Sequence, residues 1–213
     1  MEYFNDLTNT SRGFECLEEA ISPTSTWKSL KIRGIFQRAD SKNFNGRVYP
    51  YDVLVRALGE AAESVAERRM YGEMDHPADG SPTVSLKNVS HVITALNFSG
   101  KDLLGEAIVF DDPGPAGTPQ GRILGALIRN NCTVGISSRG LGSLSKGYST
   151  GDVVNEYKLV TFDVVADPST QKAYVQAVNE SKNYGRSIKD ALDYNREVEQ
   201  FKEHIRSILL KNK

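Results

Sequence analysis

The sequence predicts an α+β domain in which a β-rich core is surrounded by several helices. Four segments carry the β-branched and aromatic residues, or the apolar–polar alternation, that strands favour. They are 30–36, 84–98, 103–110 and 153–165. Helical spacing of apolar residues occurs in two stretches of the same region, 50–70 and 122–131. The length of 213 residues suits one domain with appendages.

Composition places the chain among ordinary soluble globular proteins. Apolar residues make up 39% and charged residues 25%, which provides enough apolar surface for a core. The 26 basic and 27 acidic side chains give a formal charge of −1. This balance removes the electrostatic argument for a general nucleic-acid binder, which needs a strongly positive face.

Cysteine usage and the N-terminus predict an intracellular protein with no membrane segment. Cys16 and Cys132 form no CxxC or Cys/His cluster, which argues against a disulfide scaffold and a zinc finger. The first six residues contain acids where a signal peptide needs a basic region. No apolar run approaches the roughly 18 residues that would span a bilayer.

The chain divides into three predicted parts. Residues 1–29 are predicted to form an N-terminal arm outside the main core, in which 14–21 could form a helical turn or two. Residues 30–182 form the main domain. Residues 183–213 contain a long amphipathic helix from Ser187 to Leu210.

Turn and capping residues separate the elements of the main domain. Asn45-Gly46 is a strong turn signal, and Pro50 opens the first helix, where its missing N–H costs nothing. Prolines and glycines make 111–121 a loop. A short strand at 133–136 is predicted to run into a glycine-containing loop, and a helix is predicted from about Ser169.

Three places could carry chemistry. His76 lies between Asp75 and Pro77, where helix has ended and strand has not begun, so it is a candidate base on a rigid loop. Ser137 and Ser138 lie in a glycine-containing segment that could present a nucleophile and backbone donors. A loop histidine without a role and a glycine-rich turn or anion nest are the structural alternatives.

Asp163 is the third candidate. It lies between Phe162 and Val164 in an apolar strand, where a carboxylate is costly unless it is paired. Orienting a histidine is one recognised use of such a residue, and a structural hydrogen bond to a loop is the alternative. The spacing of Glu73, Asp75, His76 and His91 fits no strong zinc pattern, and phosphate-binding glycine motifs are absent.

Four ordered segments together resemble the prohead core proteases of large contractile-tailed bacteriophages. The two signature segments are GEMDHP at 72–77 and GISSRGLGS at 135–143. The flanking segments are NGRVYP at 45–50 and DVVADPS at 163–169, and the resemblance covers about residues 30–180. It implies a fold similar to the herpesvirus capsid-assembly protease, a mostly antiparallel β-barrel surrounded by helices.

The resemblance also implies residue roles. Ser137 matches the nucleophile, with Ser138 as the fallback, and His76 matches the general base. Asp163 lies at a matching place after the serine strand and is assigned the orienting role. The herpesvirus enzymes use a second histidine instead, and this chain has none downstream except His204. Arg139 and Gly140 are assigned to oxyanion stabilisation or substrate binding. No cofactor and no metal are implied.

The implied activity is that of a serine endopeptidase acting in the host cytoplasm, inside the assembling prohead. Its substrates would be phage scaffold, internal core and major capsid proteins, with a homo-oligomer left open. The family cuts after glutamate with an aliphatic residue two positions earlier, which predicts self-cleavage of a zymogen after Glu19 and after Glu180.

Two other readings stay open at this point. One is a non-catalytic prohead scaffold or interaction protein whose arm and C-terminal helix bind partners. The other is a Ser/His acyl hydrolase that acts on esters.

Overall fold

The computed structural model describes residues 14–20, 28–147 and 151–175. By its internal contacts the chain separates into two units, 1–179 and 180–213. The second unit, with Glu180 and the predicted helix from Ser187, lies outside the described residues.

The described residues form nine strands and two helices. In chain order they are β1 (Phe14–Ala20), β2 (Lys28–Arg38), β3 (Arg47–Val48), α1 (Tyr51–Ala66), β4 (Tyr71–Glu73), β5 (Val89–Ser99), β6 (Asp102–Val109), α2 (Pro119–Arg129), β7 (Val134–Ser145), β8 (Asp152–Val165) and β9 (Tyr174–Val175). Neither described helix is long and apolar enough to cross a membrane.

The strands form two sheets. The five-stranded sheet has the order β1-β2-β6-β5-β4 and the four-stranded sheet the order β3-β8-β7-β9. All pairs are antiparallel except β3 with β8. In the described part of the chain neither sheet closes, because β1, β4, β3 and β9 remain edges. The predicted closed barrel is therefore wrong for this part of the chain, in which two helices accompany the sheets.

The core lies between the two sheets and under α1. Phe36 of β2 and Phe162 of β8 are almost fully buried, and their ring centroids lie 5.1 Å apart. Helix α1 turns an apolar stripe inward, as its spacing predicts; the buried members are Val53, Leu54, Val55, Ala57, Leu58, Ala61 and Val65. Burial of such side chains stabilises a fold by about 1.5–3 kcal/mol each.

Helix α1 begins as predicted, whereas α2 begins earlier than predicted, because 119–121 belong to the helix and not to the loop. Pro50 caps α1 without a side-chain hydrogen bond, as a residue with fixed φ can. Thr118 caps α2, where its hydroxyl oxygen accepts a hydrogen bond from the Gly121 amide at 2.9 Å, and Pro119 follows it.

Three local predictions are wrong. Residues 14–20 form a strand paired with β2 rather than a helical turn, because their register with 28–34 satisfies the backbone along the edge of the sheet. Strand β7 continues through 137–145, so the glycine-containing segment is strand and not loop. No helix follows Ser169 within the described residues; β9 does.

Candidate active site

The β7–β8 hairpin places the predicted nucleophile beside the predicted carboxylate. Ser137 is the direct cross-strand partner of Asp163. Directly opposite residues of an antiparallel pair project from the same face of the sheet, with Cβ atoms about 5 Å apart. Ser137 is 5% exposed and Asp163 is fully buried, so solvent has little access to either side chain.

The segment that follows β4 carries the histidine to the same face. Met74 forms a parallel bridge with Val164, and the Asp75 amide donates to the Val164 carbonyl oxygen at 2.7 Å. Asp75 has a φ of 61°, a left-handed conformation that aspartate tolerates better than most residues. This turn ends the pairing with β8 just before His76.

Gly72 allows that segment to lie against β8. A Cβ at this position would be 2.1 Å from Nε2 of His91 and 2.3 Å from the carbonyl oxygen of Phe162. Any side chain larger than hydrogen would therefore push β4 away from the strand that carries Asp163.

The three predicted catalytic side chains meet in one hydrogen-bonded row. Nδ1 of His76 donates to Oδ2 of Asp163 at 2.7 Å, and the Ser137 hydroxyl donates to Nε2 at 3.1 Å. The tautomer follows from the partners, since the carboxylate can only accept. The His76 side chain is 42% exposed, which leaves it open to a substrate.

Asp163 is buried but well compensated. Its Oδ1 accepts the Glu73 amide at 3.0 Å and Nη2 of Arg139 at 3.0 Å, while Oδ2 accepts from His76. Donors on both oxygens offset the loss of water around the carboxylate, which is the condition for keeping a charge inside a protein.

The Arg139 side chain does not fit the predicted oxyanion role. Its guanidinium group is 8% exposed and is occupied by Asp163, Glu73 and the carbonyl oxygens of Ser81 and Thr83. A donor held by four protein acceptors is not available to a developing oxyanion. Gly140 lies on the exposed outer part of β7, and its predicted role stays a prediction.

Ser138 points away from His76. Successive residues of a strand project to opposite faces, and the Ser138 hydroxyl donates to Oε1 of Gln37 at 3.0 Å. Gln37 is 2% exposed and lies between the two sheets. The fallback nucleophile is therefore on the face of β7 opposite to the imidazole.

His91 lies near the site but is internal to the sheet. It is fully buried, its Nε2 donates to the Phe162 carbonyl oxygen at 3.0 Å, and its Nδ1 accepts from the Ser90 hydroxyl at 2.9 Å. Burial lowers the pKa of His91 to about 4, against the opposing attraction of Asp163, so the ring is neutral.

Sequence reasoning missed Glu73 as part of this site. It is 1% exposed, and its carboxylate accepts from Arg139 and from the Ser85 amide, both at 2.8 Å. An acid inside the otherwise apolar or small run of β4 was the available signal. From the sequence, Glu73 is considered only as a metal ligand, together with Asp75, His76 and His91. In the described residues no group of three or more His, Cys, Asp or Glu could hold a metal ion.

Glu19, the predicted self-cleavage residue, lies in the edge strand β1, where it pairs with Ser29 of β2. Within the described chain, β1 pairs with β2 alone. Cleavage after Glu19 would therefore have to act on a strand that has left its sheet.

A serine hydroxyl, an imidazole and a buried carboxylate, linked in that order, are the arrangement by which serine hydrolases make an alcohol nucleophilic. The fold that carries the arrangement is neither an α/β-hydrolase sheet nor a subtilisin-like one, since the strands here are almost all antiparallel.

Comparison with known proteins identifies the family. The model of the prohead core protein serine protease family, Peptidase_S77, matches residues 16–183. The prohead core protein protease of Enterobacteria phage T4 is 37% identical over 150 residues, 68% of this chain and 68% of that protein. The chain belongs to the prohead core protein serine protease family, and the predicted family resemblance is confirmed.

The fold is similar to that of a solved structure. The structure of the bacteriophage T4 capsid assembly protease, gp21, matches with a TM-score of 0.63 at 30% identity. The match covers 72% of this chain and 92% of that one.

Proposed function

We propose that this chain is a serine endopeptidase in which Ser137 is the nucleophile, His76 the general base and Asp163 the residue that orients His76. The proposal depends mainly on one observation, the continuous row from Oδ2 of Asp163 through His76 to the Ser137 hydroxyl, with spacings of 2.7 and 3.1 Å. Those spacings lie within the range for a base that must take a proton from its nucleophile.

The reaction follows from the direction of these hydrogen bonds. His76 takes the hydroxyl proton at Nε2 as Ser137 attacks the peptide carbonyl carbon, and Asp163 stabilises the imidazolium formed. His76 then gives the proton to the leaving amine, and water releases the acyl group by the same steps in reverse. Each backbone donor to the oxyanion contributes about 3–4 kcal/mol.

The substrates we propose are phage scaffold, internal core and major capsid proteins, cut inside the assembling prohead in the host cytoplasm. The names of the relatives support this setting: one is a prohead core protein protease and the other a capsid assembly protease. The exposed edge of His76 supports a macromolecular substrate, because the ring is open to solvent without any rearrangement of the hairpin.

Ser137→Ala tests the nucleophile. Loss of a serine nucleophile removes about 10⁵–10⁶-fold in kcat, because His76 is left with no hydroxyl to activate. Cleavage of purified capsid and scaffold proteins, followed by gel and mass spectrometry, measures it. Ser138→Ala is the matched control, since its hydroxyl faces Gln37, and we expect its rate to stay within about threefold.

The outcomes separate the alternatives. Peptide cleavage that survives Ser137→Ala would contradict the assignment. Hydrolysis of a small ester by the wild-type protein, without cleavage of any capsid protein, would favour an ester hydrolase. Absence of both activities in folded wild-type protein would favour a scaffold role.

We also propose self-cleavage after Glu19 and after Glu180. Residues 17–19 place leucine two positions before the glutamate, as the family preference requires, and 178–180 place valine there. Since β1 is paired along seven residues with β2, we expect cleavage after Glu19 only when that strand is displaced. While the backbone of β1 is hydrogen-bonded to β2, its peptide bonds are not available to bind at an active site.

Intact mass tests the self-cleavage. Wild-type protein incubated to full activity should lose residues 1–19, and the Ser137→Ala protein should keep them. Glu19→Gln should keep the N-terminal segment while remaining able to cut a separate substrate. Active wild-type protein that retains Met1 would contradict processing at this bond.

A further inference from the structure

Arg139 stands at the position diagonal to Asp163 on the same face of the hairpin. It lies two residues beyond Ser137 on β7, and its cross-strand partner is Thr161. Diagonal neighbours in an antiparallel pair are within reach of a long side chain. Nη2 of Arg139 donates to Oδ1 of Asp163 at 3.0 Å, and Nε lies 2.8 Å from Oδ2.

Glu73 holds the other side of the same guanidinium group. Its Oε1 accepts from Nη2 of Arg139 at 2.8 Å and also from the Ser85 amide at 2.8 Å. Nη1 of Arg139 donates to the carbonyl oxygens of Ser81 and Thr83 at 3.2 Å each. One arginine thus joins β4, β8 and the loop that follows His76.

The charges of this cluster alternate in sign. Glu73 is negative, Arg139 positive and Asp163 negative, and the imidazolium that His76 becomes during the reaction is positive. Glu73, Arg139 and Asp163 are 1%, 8% and 0% exposed, so water screens their interactions weakly. Arg139 without Glu73 would offset the charge of Asp163 and weaken its attraction for the imidazolium.

We propose, on the basis of the proposed function, that Glu73 and Arg139 are positioning residues of this protease. Arg139 fixes the rotation of the Asp163 carboxylate, so that Oδ2 faces Nδ1 of His76. Glu73 cancels the charge of Arg139, so that the full charge of Asp163 remains available to the imidazolium. The same pair anchors residues 81–85 of the loop next to His76.

The test compares Glu73→Gln and Arg139→Lys with wild type. We expect kcat to fall about 10-fold for Glu73→Gln and about 100-fold for Arg139→Lys, the range known for outer-shell partners of metal ligands. KM should change less than twofold, because neither side chain is exposed to substrate. Lysine keeps the charge but cannot bridge two carboxylates and two carbonyl oxygens at once.

A double-mutant cycle measures the charge balance itself. In Arg139→Gln protein there is no positive charge for Glu73 to cancel, so adding Glu73→Gln should lower kcat by less than twofold more. The low-field proton resonance of Nδ1 of His76 should shift or broaden in the folded Arg139→Lys protein, which a change in stability alone would not cause. Glu106→Gln, which breaks a comparable pair with Arg33 at 2.7 Å, is the control and should keep wild-type kcat.

Each result decides the proposal. A folded Arg139→Lys protein with kcat within twofold of wild type would overturn it, and so would fully additive losses in the cycle. If Arg139→Lys does not fold, Glu73→Gln decides alone, since glutamine still accepts the Ser85 amide. Ser137→Ala distinguishes a failure of the positioning roles from a failure of the proposed function. If the Ser137→Ala protein is inactive and the Arg139→Lys protein is fully active, only the positioning roles are overturned.

Discussion

Two histidines are held by neighbouring residues of the same strand, and they differ in what they can do. His91 of β5 is held by the Phe162 carbonyl oxygen and His76 by the Asp163 carboxylate, so both are fixed by β8. Each ring has a partner on both nitrogens. His91 is fully buried, while the His76 side chain is 42% exposed.

The comparison teaches that satisfied hydrogen bonds do not distinguish a base from a structural histidine. The partner of His91 is a neutral carbonyl, and burial holds its pKa near 4, so it takes no proton near neutral pH. The partner of His76 is an anion, which stabilises the ring when it becomes charged. Access to solvent and a buried anionic partner distinguish His76, the proposed base, from His91.

The largest effect should come from removing that charge. We expect Asp163→Asn to lower kcat about 10⁴-fold, because an amide can hold His76 in the wrong tautomer and cannot stabilise an imidazolium. Steady-state cleavage of a peptide with glutamate immediately before the cleaved bond measures this loss. A loss below tenfold would mean that His76 does not depend on Asp163, and the contrast with His91 would fail.

Gly72→Ala should disturb both histidines. The new Cβ would lie 2.1 Å from the His91 ring and 2.3 Å from the Phe162 carbonyl oxygen. We expect the unfolding free energy to fall by about 1–3 kcal/mol and kcat to fall about 100-fold, because β4 carries His76 out of place. Gly100→Ala is the control, since no atom lies within 4 Å of its Cβ and only its φ of 60° is strained.

These outcomes are read by denaturant unfolding together with kcat. Gly100→Ala should lose about 1 kcal/mol in stability and keep its activity. Equal losses of activity in both glycine variants would mean that the close approach of β4 to β8 does not matter for His76.

His91→Gln should change stability against pH and leave catalysis at pH 7.5 within a few-fold. The pKa of His91 is about 4 in the fold and 6.5 when unfolded, so below pH 6.5 the unfolded chain binds a proton that the folded chain does not. This contribution to stability is complete above pH 6.5 and is lost as the pH falls towards 4. Between pH 7.5 and 4.5 it amounts to about 2–3 kcal/mol.

Urea unfolding at the two pH values checks this prediction. Glutamine can donate to the Phe162 carbonyl oxygen but does not titrate, so the pH-dependent loss should be smaller in the variant by that amount. An unchanged difference between the two pH values would mean that His91 is not the group responsible.

Local patterns predicted much of the fold. The apolar stripe of α1 and the β-branched run of β8 each reflect one periodicity, which a single sequence carries. The sequence could not reveal whether the sheets close, because closure depends on how edge strands such as β1 and β4 pair over long distances. Glycine weakens the strand signal of 137–143, so the sequence predicts a loop there, whereas pairing with β8 makes this segment a strand.

The candidate site divides in the same way. His76, Ser137 and Asp163 are candidates because each is a chemically distinctive residue in an unusual local setting, and the family resemblance is what implies their roles. The contacts of Arg139 with Glu73 were not, since they join positions 66 residues apart. An arginine near a serine suggests an oxyanion donor until the structure reveals which acceptors surround it.

The direct pairing of Ser137 with Asp163 has a consequence for how the chain becomes active. A slip of one residue between the two strands would leave a sheet of the same outline with the hydroxyl and the carboxylate on opposite sides. Such a molecule would be folded by most physical measures and inert. Fidelity of this hairpin during folding is thus as decisive for activity as the identity of the residues it carries.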